Sequence, residues 1–271
     1  ERPEPKDAPK GEFWKLAFES KVLRDLCKLR EALIDNCSSD TRIALRAIIL
    51  GSLHGPRGKQ IQSYFSNQCP RTFAPKPAYA TRYWQQHNLK PPSLAVFDLI
   101  ERRALHCFGY EETRGRGAVM LGDSQNKDSF AGVTKRATWI VTSPPYYGMR
   151  TYLQDQWLRL WFLGGPDVID YRTQGQLSHS GAADFAEGLR SVWTNCAKHA
   201  QPNCRLIIRF GAINDRKLDP VDLIKQSLDK TPWKIETARH AGTASGGKRQ
   251  ARQFVVSKSP IEEYDVWARL R

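Results

Sequence analysis

Between Phe13 and Ile34, residues Leu16, Leu23, Leu26, Leu29 and Leu33 recur at intervals of three, four or seven, with Lys, Arg, Asp and Glu between them. That spacing lays one apolar stripe along a helix, so a core-facing amphipathic helix is expected over 13–34. A second helix is expected from Asp40 or Thr41 through Leu53, capped by Asp40 and weakened at its end by Gly51 and Gly55, with Pro56-Arg57-Gly58 as the turn beyond it. After Phe108 the pattern changes to short apolar runs at 118–121, 138–141, 205–210, 233–237 and 253–256, each four to six residues long and several rich in β-branched side chains. Runs of this kind predict strands. Between the second and third, 184–199 reads as a helix with Phe185, Leu189, Val192 and Cys196 on one face and Pro202 beyond its end. Strand, helix and strand imply a parallel crossover, hence an α/β sheet. The Gly-, Lys- and Arg-rich stretch 240–252 then joins the last two strands as an antiparallel hairpin at the sheet's edge.

Charge changes the picture. The 271 residues carry 42 Lys and Arg against 28 Asp and Glu, a net charge of +14; such an excess concentrates polyanions and makes nucleic acid the leading partner. It is unevenly distributed, because 41–97 contains no Asp or Glu yet carries Arg42, Arg46, Arg57, Lys59, Arg71, Lys76, Arg82 and Lys90. Tyr64, Phe65, Phe73, Tyr79, Tyr83 and Trp84 are interleaved with these cations. Cations beside aromatics suit phosphate contacts and base stacking; solvated cations around aromatics docked on a core are the other reading. Arg71, Lys76 and Arg82, with Lys248, Arg249 and Arg252 of the hairpin loop, are the candidate phosphate contacts. The chain thus divides into a helical, basic, aromatic-rich region over 1–110, a candidate DNA-contacting insertion, and an α/β part over 111–271.

No apolar run approaches the roughly 18 residues of a membrane span, and the polar start Glu1-Arg2-Pro3-Glu4-Pro5-Lys6 is unlike a signal peptide. The six cysteines form no C-x-x-C pair and have no His at zinc spacing, so reduced thiols in a cytoplasmic protein without a metal site are expected. Met120 and Met149 are the only methionines, and an upstream segment is therefore expected.

The second strand runs directly into Thr142-Ser143-Pro144-Pro145-Tyr146-Tyr147-Gly148. The carboxyl end of a parallel strand is where α/β proteins bind ligands. Two consecutive prolines fix φ twice and remove two amide donors, leaving rigid carbonyls free to accept. An exocyclic base amine is a ligand that needs acceptors: conjugated with its ring it is a poor nucleophile, and a polar side chain and a prolyl carbonyl taking its two hydrogens would aim its lone pair at an electrophile. Tyr146 suits stacking on a base flipped from its duplex.

Ser143-Pro144-Pro145-Tyr146 resembles the signature of the S-adenosylmethionine-dependent amino-methyltransferases of DNA, Asp, Asn or Ser followed by Pro-Pro-Tyr, in the form found in members that methylate cytosine N4. The resemblance spans 118 to about 257 and implies a Rossmann-like methyltransferase sheet of seven strands, of which the five read above match the third to seventh. It implies S-adenosylmethionine as cofactor and direct methyl transfer to a flipped base, with neither a covalent enzyme adduct nor a metal. Gly122-Asp123-Ser124 is similar to the family's acidic position for the cofactor's adenine, Thr142 would touch the cofactor's edge, and Tyr147 and Arg150 would lie beside the DNA. The family's Gly-x-Gly cofactor loop has no counterpart: Gly115-Arg116-Gly117 precedes a strand instead of ending one. A second polypeptide or an upstream segment is therefore expected to supply the first two strands and that loop. Asp155 to Gly164 reads as a helix whose Trp157 and Trp161 brace the catalytic loop against the sheet. Adenine-N6 methylation, RNA amino-methylation and a noncatalytic nucleic-acid-binding subunit stay open as alternatives.

Overall fold

A computed structural model describes residues 4–55, 62–67, 77–109, 117–148, 152–171, 177–178, 180–211, 218–243 and 262–271. The chain divides into two compact units, Glu1–Gly115 with Leu153–Arg172 and Arg116–Tyr152 with Thr173–Arg271. The segment Leu153–Arg172 thus belongs with the helical region, although its position along the chain is among the strands.

The first unit is helical: α1 (Glu12–Ala17), α2 (Ser20–Asp35), α3 (Asp40–Ser52), α4 (Pro77–Gln86) and α5 (Val96–Phe108), joined after α6 (Tyr152–Asp155) by α7 (Trp157–Phe162). The single helix expected over 13–34 is two. Phe18 leaves the helical region (φ −129°, ψ 141°), and Glu19 restarts it as an N-cap, its carboxylate accepting from Lys21 N at 2.9 Å and Val22 N at 3.2 Å. Ser39, not Asp40, caps α3 by accepting from Arg42 N at 3.3 Å. The guanidinium of Arg42 donates to Ala32 O at 3.0 Å and Asn36 O at 2.8 Å, so this cation of the acid-free segment caps the carboxyl end of α2. The core is aromatic. Trp14, Trp84, Trp157 and Trp161 are buried together with Phe18, Phe65 and Phe162, and the rings of Trp14 and Trp161 lie 4.7 Å apart. Each such ring contributes about 3 kcal/mol of burial. Trp157 and Trp161 therefore hold this helical core rather than bracing the Ser143–Tyr146 loop, which corrects the expectation for their helix.

The second unit is α/β with a four-stranded mixed sheet, formed by β1 (Ala137–Thr142), β2 (Ala200–Gly211), β3 (Trp233–Thr243) and β4 (Glu262–Leu270) in the order β1-β2-β4-β3. Strands β1 and β2 are parallel; β4 is antiparallel to both β2 and β3. In β2, Cys204, Leu206, Ile208 and Phe210 alternate with half-buried residues and pack with Phe185, Leu189 and Trp193 of α8 (Ala182–Lys198) and Leu223 and Ile224 of α9 (Pro220–Leu228). Asp219 caps α9 and Pro220 opens it, where its missing N–H costs nothing.

Two expected strands need correction. Residues 118–121 form no strand; Val119 and Leu121 are fully exposed, and among the described residues no neighbouring strand pairs with the run. The second strand of the hairpin is Glu262–Leu270, while 253–256 and the turn at 56–58 lie outside the described residues. Among the described residues β1 pairs on one side only, and its Trp139 (49% exposed) and Val141 (72%) remain open. Cys27, Cys37, Cys107, Cys196 and Cys204 are free thiols. No helix of the described residues is long and apolar enough to cross a membrane.

Candidate functional site

Strand β1 ends at Thr142, which is half-buried and pairs with Ile208. The chain then leaves the sheet. Ser143 is exposed, Pro144 is buried, and Pro145 and Tyr146 are half-buried. The loop turns at Gly148, whose φ of 89° suits a residue without a side chain. Tyr146 is held at two points: its ring meets Phe210 edge-on, with centroids 5.8 Å apart at 78°, and its hydroxyl donates to the carboxylate of Glu263. Ser143 is thus left at the surface of a loop fixed by the residues that follow it. Tyr147, expected beside the DNA, is 7% exposed and packs edge-on against Phe185 at 5.3 Å, the position of a core side chain.

A second polar cluster adjoins Glu263. Arg209 of β2 lies opposite Asp265 of β4 and binds it through Nε and Nη2, both at 2.8 Å. The fork geometry makes this a strong pair. The hydrogen bond from Arg209 holds the Asp265 carboxyl below the usual carboxylate range, and Asp265, then Glu263 and Tyr146, raise Arg209 in turn. The Cys196 thiol of the same unit is not a nucleophile: burial, with Cys204 adding, pushes it up to about 11, so it stays protonated at neutral pH.

The turn expected to hold the cofactor is built differently from a strand end. Asp123 is exposed, its carboxylate accepts from Gln125 N at 2.9 Å and its carbonyl from Asn126 N at 2.9 Å, leading into a short 3-10 helix at Lys127–Phe130. Gly122 is required there because a Cβ would come within 2.7 Å of Ser129. Asn195 of α8, buried, donates to Ser124 O at 3.2 Å and Gln125 O at 3.0 Å and fixes the turn to the helix. Asp123, Ser124 and Thr142 offer no glycine cradle and no second carboxylate for a ribose, so by themselves they do not fit S-adenosylmethionine.

Arg82 is exposed on α4, while Arg71, Lys76, Arg150, Lys248, Arg249 and Arg252 lie outside the described residues. Glu263, Arg209, Asp265 and Asn195 are the site residues that sequence reasoning missed. The alternation of apolar and charged residues in β4 is the signal that could have found Glu263 and Asp265, and an Arg set between Ile208 and Phe210 in β2 the one for Arg209; no local signal marks Asn195. No protein-family model matches the chain, and no curated protein or solved structure matches it.

Proposed function

We propose that the chain is the catalytic part of a DNA amino-methyltransferase that acts on the exocyclic amine of a flipped base, cytosine N4 first, with S-adenosylmethionine as methyl donor. One observation carries the reading: a Ser-Pro-Pro-Tyr loop leaves the carboxyl end of a parallel strand of an α/β sheet with its serine exposed and its tyrosine anchored. The methyl donor would supply an electrophilic carbon. The chain's own part is to prepare the amine. Ser143 and the Pro144 carbonyl accept its two hydrogens, which favours a pyramidal nitrogen with its lone pair directed outward. Pro144 and Pro145 present no N–H to compete, and Tyr146 gives the base a stacking surface. A parallel pair β1–β2 bridged through α8, followed by a terminal antiparallel hairpin, is also what the resemblance requires of a methyltransferase's fourth to seventh strands.

The donor's binding site needs more than this chain's described residues. We assign the glycine loop and two further strands to a second polypeptide or an upstream segment pairing with the outer edge of β1, which has no partner strand among the described residues. A noncatalytic nucleic-acid-binding subunit is the second reading, favoured by the local turn that occupies Asp123. Nucleoside analysis tests both. DNA and RNA free of modified bases are each incubated with labelled donor and the protein completed by its glycine-loop segment, then digested. Labelled N4-methylcytosine is the expected product. Label in N6-methyladenine or in RNA alone would replace the substrate, and its absence from all three would leave the binding subunit.

A further inference from the structure

Among the described residues Glu263 is the one buried carboxylate, 6% exposed. Burying such a group is costly unless its oxygens are engaged. The sheet itself leaves room beside it. In the register of β4, Glu263 pairs with Gly211 of β2 and Gly242 of β3, so neither neighbour carries a side chain to compete for the carboxylate. The engaging group comes from outside the ladder: Tyr146, 117 residues earlier, donates its hydroxyl across the end of β2. Alternation along β4 puts Glu263 on the same face as Asp265, and Arg209, fixed by Asp265, balances the charge from the neighbouring strand.

We propose that Glu263 is a positioning residue of the transfer site, locking the Tyr146 ring against Phe210 before a base arrives. The proposal rests on the transferase reading for its purpose. A phenol attached only through its own χ angles would have to be ordered on each turnover, whereas one clamped at the ring and at the hydroxyl is ordered in advance. The clamp also ties the loop after β1 to the last strand of the chain.

A double-mutant cycle on methyl transfer, with the completed protein, tests the clamp. Glu263→Ala and Tyr146→Phe should each lower kcat roughly tenfold or more with KM for DNA unchanged, the cost of a hydrogen bond to a charged group. The double variant should be no slower than the slower single one, and Glu263→Gln, which keeps an acceptor oxygen, should recover most of the loss. In parallel, the full chain labelled with 3-fluorotyrosine reports the contact without any activity: the Tyr146 fluorine signal, assigned by its loss in Tyr146→Phe, should move in Glu263→Ala and less in Glu263→Gln. Losses that multiply in the double variant, or a rise in KM alone, would overturn the positioning role, as would an unmoved fluorine signal. If Glu263→Ala does not fold, Glu263→Gln and Tyr146→Phe decide by the same readouts. A moved signal in a protein that transfers no methyl group would sink the transferase reading while supporting the clamp.

Discussion

Acid should unfold the helical unit through one histidine. His54 follows α3, is 5% exposed, and is lowered from 6.5 to about 4 by burial, with the positive charge of Arg159 adding to the effect. Between these values the unfolded chain binds a proton at residue 54 that the folded chain refuses. The unfolded state therefore gains protons as pH falls, and stability is complete above pH 6.5 and lost on the way down to about pH 4. A gap of about 2.5 pH units at about 1.4 kcal/mol each is worth about 3 kcal/mol, a large share of a domain's total of roughly 5–15 kcal/mol. The assay is urea unfolding at steps from pH 7.5 to 4.5, followed by the fluorescence of the buried tryptophans, for the wild type and His54→Gln. The variant starts less stable at neutral pH because Gln packs less well than the imidazole, but its stability should fall more gently with acid. Asp265 acts in the same direction at lower pH, since its carboxyl is depressed, and it cancels in the comparison. Parallel pH curves for the two proteins would refute the assignment to His54.

Ser143→Ala and Tyr146→Ala should each lower methyl transfer about a hundredfold or more while DNA affinity changes much less, because both groups act on the extruded base; normal transfer by both would remove the motif from the mechanism. The 271-residue chain alone should bind S-adenosylmethionine weakly or not at all, and tight stoichiometric binding in a calorimeter would mean that the cofactor loop has been misread. Neutralising Arg71, Lys76 and Arg82 together should flatten the dependence of log affinity on log salt by up to about 0.9 per lost phosphate contact, and an unchanged slope would make these cations merely solvated.

What was legible in the sequence was what local periodicity encodes. The leucine spacing of α2, the Phe185 and Leu189 face of α8 and the continuous apolar centre of β2 each state their partner face within one element. Failures came where a partner decides the outcome. The run at 118–121 has the composition of a strand, but a strand exists only if paired, and here Val119 and Leu121 meet solvent. Strand β4 hides the opposite way: its buried Val266, Ala268 and Leu270 alternate with Asp265, Trp267 and Arg269, so no continuous apolar run announces it. The spacing of Trp157 and Trp161 marks a packing face, but the expectation that they brace the loop after β1 against the sheet fails, because only the contacts with Phe13 and Trp14 show that they fill the helical core. The Ser143-Pro144-Pro145-Tyr146 motif was visible, whereas Glu263, which holds it, depends on a pairing 117 residues long.

The same dependence on partners bears on the edge of β1 that is unpaired among the described residues. A parallel strand is normally covered on both faces and flanked by neighbours, and an open apolar edge invites association. Here the Arg205 guanidinium lies 5.0 Å over Trp139, and the Trp267 ring meets Trp139 edge-on at 6.3 Å, so part of that face is shielded from within the sheet. Val141, one step from the Ser143 loop, has no such cover at 72% exposure. The unprotected apolar surface is therefore concentrated at the end of the strand where the loop begins. On the proposed reading, a parallel segment pairing along β1 would bring its own carboxyl end level with Ser143, and the chain that follows it could cover the face where Val141 is open. On that reading this is where the glycine loop would sit, so that the methyl donor meets the amine. Completion of the sheet and completion of the site would then be one event.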